Sequence, residues 1–298
     1  MQNKIKKYNL TKSNILFICI ILFPMVSHLA VFWLGATVKG LAMSFIDDKT
    51  GAIGFSNYIS VFTGFVDADG VLLESIRNTL IFFASSLLNI PISIFAAYMI
   101  YKKMFGSKVV RIMLVLPGII SGMMMCIMYQ QFLTTDGPLL TLLIDKWGWD
   151  IATPLIMEHP IAMMIVFGIW IGLGGNLIIW LGAMGKIDSG LLEYAKLDGI
   201  KTFQEFYHII LPAIWPTVVT MVSIQCMGIW GSSGDVLLFT EGKYGTFTLS
   251  YYMYEVIYKG VTSQYNIAMA LGLVMSLASV PIIVLFRKVL NRKDVVED

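Results

Sequence analysis

Residues 188–212, DSGLLEYAKLDGIKTFQEFYHIILP, form a polar island between two long apolar runs. Their pattern predicts a helical hairpin. Asp188 or Ser189 is placed to cap the start of a short helix, and Gly199 to end it in the left-handed conformation. Thr202, with Glu205 three residues later, reads as a capping box that starts a second helix. Pro212 and Pro216 each remove a backbone donor, so the chain should bend as it passes into the next apolar run.

Working outward, the rest of the chain is dominated by apolar sequence. It has 298 residues, 57% of them hydrophobic and 13% charged, with a mean hydropathy of +0.77. One soluble core of this length cannot bury that much apolar surface, so the surplus must face lipid. Six runs reach the roughly 20 residues that a helix needs to cross a bilayer: about 14–38, 78–101, 112–133, 160–185, 207–231 and 265–286. None contains Asp, Glu, Lys or Arg. The expected fold is an all-α integral membrane protein, with residues 1–298 as one six-span transmembrane domain. The first run follows Lys4, Lys6, Lys7 and Lys12, but its length and the lack of a small-residue cleavage site mark it as a retained span rather than a signal peptide.

Charge gives the orientation. Fifteen of the twenty-one Lys and Arg fall in the amino terminus, the 102–111 and 186–201 loops and the tail. The other six are Lys39, Lys49, Arg77, Lys146, Lys243 and Lys259. The positive-inside rule then places both termini and the 188–212 hairpin in the cytoplasm. The opposite loops, 39–77, 134–159 and 232–264, hold twelve of the nineteen acidic residues. Trp147, Trp149, Tyr251, Tyr252, Tyr254 and Tyr258 also lie there, as interfacial anchors or as the face for an extracytoplasmic partner. The net charge of +2 and the absence of an aromatic-interleaved basic patch give no support for a nucleic-acid partner.

Several chemistries are unsupported. Cys19, Cys126 and Cys226 each lie inside an apolar run, where a thiol packs as a small hydrophobe, so neither a disulfide framework nor a metal site is expected. Ion-coupled carriers place ionisable groups inside the bilayer, whereas His28 and His208 are the titratable imidazoles nearest these runs. Gly242-Lys243 is followed by Tyr244, so it does not complete a phosphate-gripping loop. Energy for transport must therefore come from another chain, and the hairpin is its natural attachment point.

At this point the residues resemble a known family. EYAKLDGIKTFQEFYHIILP is similar to the EAA loop of permease subunits in binding-protein-dependent ABC importers, with Glu193, Ala195, Asp198, Gly199, Phe206, Ile209, Leu211 and Pro212 in register. Tyr194 and Ile200 depart, standing where the pattern has small residues. GFSNYISVF (Gly54 to Phe62), SIRNTLIFF (Ser75 to Phe83) and RIMLVLPGIISGMMM with Pro117 resemble elements of the maltose-type, carbohydrate-uptake branch. The resemblance implies a heterodimeric pore with a second, homologous permease chain in a bacterial plasma membrane. It also implies two cytoplasmic ATPase subunits that carry ATP and magnesium, and an extracytoplasmic solute-binding protein. No cofactor and no catalytic role are expected in this chain. Coupling to the ATPases falls to Glu193, Ala195, Asp198, Gly199, Leu211 and Pro212.

Substrate contacts rest on uncharged polar residues in apolar helices, which must hydrogen-bond either a neighbouring helix or a substrate hydroxyl. The candidates are Asn176 in GLGGN, Gln225, Trp230, Ser232 and Ser233, with Asn89, Gln130 and Gln131 as further positions of the same kind. Planar amides beside an aromatic face suit a carbohydrate, most naturally an oligosaccharide. A polyol phosphate or osmolyte remains open, as do an ion-coupled carrier and a non-transporting scaffold.

Overall fold

The computed structural model describes residues 12–47, 50–64, 70–134, 136–147, 153–231, 233–258 and 265–291. Helix α1 runs from Lys12 to His28 and on through a π-helical turn, Leu29–Leu34, into Gly35–Ser44. Its most apolar stretch has no buried residue, as befits a helix apolar on every side. Its last turns meet the rest of the fold where Asn57 Nδ2 donates to the carbonyls of Ser44 and Ile46 (3.0 and 2.8 Å) and the Tyr58 and Ser44 hydroxyls pair at 2.7 Å. The Asn-Tyr of GFSNYISVF, at the start of α2 (Ser56–Gly64), thus staples the end of α1.

Helix α3 (Val71–Tyr101) is the ruler of the molecule. It packs along α7 (Pro160–Met184), and between the two in the chain come α4 (Ser107–Ile119), α5 (Gly122–Phe132) and the short α6 (Pro138–Trp147). Glycine sets the closeness of this packing: a Cβ on Gly174 would lie 2.0 Å from the Leu114 carbonyl oxygen, and one on Gly172 would lie 2.5 Å from Asn89 Nδ2. After the hairpin helices α8 (Ser189–Leu197) and α9 (Thr202–Ala213) come α10 (Trp215–Met227), α11 (Ser233–Phe239), α12 (Leu249–Tyr258) and α13 (Tyr265–Asn291).

Among the described residues four helices are long and apolar enough to cross a membrane: Asn14–Ser44, Val71–Tyr101, Pro160–Met184 and Tyr265–Leu290. Two further apolar runs are not straight. The run expected over 112–133 breaks between α4 and α5 with a 116° change of direction, and the run expected over 207–231 bends by 69° between α9 and α10. Ile120 and Ser121 are extended at the first break, just beyond Pro117, which cannot continue the hydrogen-bond ladder. Pro212 and Pro216 flank the second, where Ile214 leaves helical geometry.

Candidate functional site

Hairpin and cavity

Asp188 caps α8 through Oδ1, which accepts the Gly190 N–H at 3.0 Å. Gly199, at φ +73°, ends it. The Gly199 N–H donates to the Lys196 carbonyl and the Ile200 N–H to the Ala195 carbonyl, both at 3.1 Å, the paired bonds of a left-handed glycine cap. The second helix starts differently from the Thr202–Glu205 expectation. Lys201 occupies the cap position and its N–H donates to Gln204 Oε1 at 3.1 Å. Glu205 is buried instead, because a cation reaches it: Lys102 Nζ lies 2.8 and 2.9 Å from its two carboxylate oxygens.

That ion pair is one of several links from the hairpin to the bundle. The Tyr98 hydroxyl donates to the Thr202 carbonyl (2.9 Å), and the Phe206 ring packs on Tyr98 and Phe95 with centroids 4.9 and 6.1 Å apart. Trp215 Nε1 donates to the Leu290 carbonyl of α13 (3.2 Å). Ala195 is turned inward and buried, and Leu211 is half-buried. Glu193, Asp198, Gly199 and Pro212 are exposed. So are large apolar side chains: Leu197 is 82% exposed, Phe203 72% and Tyr194 71%. An apolar tip with two carboxylates beside it is a surface suited to docking.

The other end of α3 is held by SIRNTLIFF. Asn78 Nδ2 donates to the carbonyls of Gly245 and Phe247 (both 2.8 Å), and Thr79 Oγ1 accepts the Leu249 N–H at 3.0 Å. Asn78 and Lys102 lie about 36 Å apart along α3 at 1.5 Å per residue. Asn89, near the midpoint, opens onto a cavity of about 420 Å³, within the range of small-molecule sites.

The cavity is formed by α3, α7, α10 and α11, with the 228–231 stretch between the last two, and brings together Asn89, Asn176 and Gln225 with Ser85, Ser86 and Asp235. Asn89 Nδ2 donates to the Ile169 carbonyl (2.9 Å), and Asn176 Nδ2 reaches Asn89 Oδ1 at a long 3.5 Å. Gly168, Gly172 and Gly175 remove side chains from the α7 wall. Asp235 is the one ionisable group among the described lining residues.

Trp230 is not among the lining residues; its indole N–H donates to the Met275 carbonyl of α13 at 3.0 Å. Gln130 Nε2 donates to the carbonyls of Leu238 and Phe239 (2.9 and 3.1 Å), tying α5 to α11. Ser232 lies outside the described residues, and Ser233 is the first residue of α11. Of the methionines in α5, Met125 is buried and Met123, Met124 and Met128 are exposed. Ser85 and Ser86 were discoverable by the reasoning that selected Asn176, since both are hydroxyls in an apolar helix. Asp235, counted from sequence with the acids of an outer loop, carried no such signal.

A polar cavity halfway along an apolar helical bundle, with an exposed hairpin clipped to the same helix, fits a multi-pass membrane permease. The chain belongs to the family described as the binding-protein-dependent transport system inner membrane component, whose model matches residues 70–293. The lactose transport system permease protein LacF of Rhizobium radiobacter is 26% identical over 258 residues, 80% of this chain and 83% of its own length. A crystal structure of a bacterial ABC transporter involved in the import of the acidic polysaccharide alginate contains a chain that superposes with a TM-score of 0.80 at 25% identity, over 94% of this chain and 96% of that one. The bacterial alginate ABC transporter in complex with an alginate pentasaccharide-bound periplasmic protein gives 0.79 at 26% identity, again over 94% and 96%.

Proposed function

We propose that this chain is the permease subunit of an ATP-driven importer for an oligosaccharide, forming half of the translocation path. In this reading six spans place both termini and the hairpin in the cytoplasm, with the bent pairs as the third and fifth spans. A second, homologous permease chain completes the pore, two cytoplasmic ATPases carry ATP and magnesium, and an extracytoplasmic binding protein delivers the sugar. The chain itself is non-catalytic.

The observation that carries the reading is the rigid clip between hairpin and cavity. Lys102–Glu205, Tyr98 and Phe206 attach α9 to the end of α3, whose middle carries Asn89 in the cavity wall. A displacement of the exposed tip by an ATPase would move that wall as a body, which is what switching between inward-facing and outward-facing states requires. Glu193 and Asp198 are free to meet cations of the ATPase, while Gly199, Leu211 and Pro212 shape the turn and bend that carry the movement inward. The excess of Lys and Arg on the hairpin side supports the orientation. The amides and hydroxyls of Asn176, Gln225, Ser85 and Ser86 suit sugar hydroxyls, and the lactose and alginate transporters similar to this chain support the same substrate class.

The test is to reconstitute the chain with its permease, ATPase and binding-protein partners in liposomes and follow ATP hydrolysis and uptake across a panel of oligosaccharides. Sugar-stimulated hydrolysis coupled to uptake is expected. Uptake driven by an ion gradient without ATP would overturn the reading.

A further inference from the structure

Asp235 is a half-buried carboxylate on the cavity wall that makes no hydrogen bond or ion pair with any described residue. It is held in place from both sides. Gln130 grips the end of α11, and Val236 and Phe239 are buried against Met125, Met164 and Phe167 of α5 and α7. The side chain therefore cannot easily retreat from the cavity. Around it the described polar lining consists of neutral amides and hydroxyls, with no Lys or Arg to offset its charge.

We infer that Asp235 sets the charge class of the imported sugar, favouring neutral oligosaccharides over uronate-bearing ones; the inference rests on the carbohydrate reading above. A partly desolvated carboxylate without donors is costly, and two hydroxyls of a sugar ring can supply the missing hydrogen bonds. A uronate cannot satisfy it without bringing a second negative charge close. For a guest carboxylate held in the cavity within roughly 10 Å of Asp235, the repulsion at an effective dielectric constant near 20 corresponds to roughly tenfold or more in affinity. Gln225, also on the wall and without a hydrogen-bond partner among the described residues, offers a neutral amide that either sugar can use, so the discrimination falls on Asp235.

The experiment is equilibrium binding to the nucleotide-free complex of this chain with its permease and ATPase partners in nanodiscs. The binding protein is left out so that its own selectivity does not enter. The probes are radiolabelled matched trisaccharide pairs, neutral and fully uronate, built on mannose, galactose and glucose. The wild-type complex should bind at least one neutral member about tenfold more tightly than its uronate counterpart. Asp235→Asn should bring the two within about twofold, and Asn176→Asp, which adds a carboxylate to the same cavity, should widen the gap. Discrimination that survives Asp235→Asn unchanged, or equal wild-type binding of both members, would overturn the assignment and leave the carbohydrate reading standing. Binding of no sugar by the wild-type complex would overturn the assignment, since Asp235 would then select nothing, while the carbohydrate reading is decided by the uptake assay above.

Discussion

The hairpin and the cavity hold their candidate functional residues by opposite means. In the hairpin the shaping contacts are local, such as Asp188 to Gly190 and Ile200 to Ala195, with a few long-range bonds clipping the finished unit to the bundle. In the cavity nothing is local: Asn89, Asn176, Gln225 and Asp235 come from four helices and meet because glycine lets α7 approach α3 and α4. The hairpin should therefore tolerate substitution of its exposed tip, while the cavity should fail when a backbone approach is blocked.

The largest effect is expected at that approach. Gly174→Val would put a side chain against the Leu114 carbonyl, where even a Cβ lies 2.0 Å away. A loss of about 3 kcal/mol or more should appear as low recovery of monodisperse protein in detergent. Gly175→Ala, one residue on and with nothing within 4 Å of its Cβ, should be recovered normally and would break the comparison if it were not.

Next comes the clip. Lys102→Met leaves Glu205 buried without its cation, an expected cost of about 3 kcal/mol in thermal unfolding. Adding Glu205→Leu should restore most of that stability while uptake stays low, because the apolar pair holds the helices together without the directed bonds. Recovery of uptake along with stability would reduce the ion pair to a structural support.

The smallest stability effect is expected at the elbow. Gly199→Ala places a Cβ at φ +73°, a cost of about 1–2 kcal/mol, with open space around it. The complex should still assemble in membranes, with weaker ATPase retention during purification and reduced sugar-stimulated hydrolysis. Unchanged retention and hydrolysis would show that the elbow's conformation is not needed for docking.

Legibility followed the same division. Asp188 and Gly199 were readable because a cap involves atoms within five residues of one another. The Thr202–Glu205 box failed because Glu205 had a choice that sequence spacing does not reveal: Lys102, 103 residues away, outcompetes a local backbone N–H. Asn89, Asn176 and Gln225 were readable as polar groups needing partners, but nothing in their spacing says that they face one space. Trp230 satisfied the same need elsewhere, on the Met275 carbonyl.

By itself, the sequence determined an all-helical chain with long uncharged apolar runs, a capped polar hairpin and its proline bends, because hydropathy, caps and missing backbone donors act over a few residues. Only the tertiary structure decided that the 112–133 run turns through 116°, that Glu205 points inward and that Asp235 stands on the wall of a mid-bundle cavity. Those outcomes depend on which helices approach closely enough to share a hydrogen bond, a charge or a void.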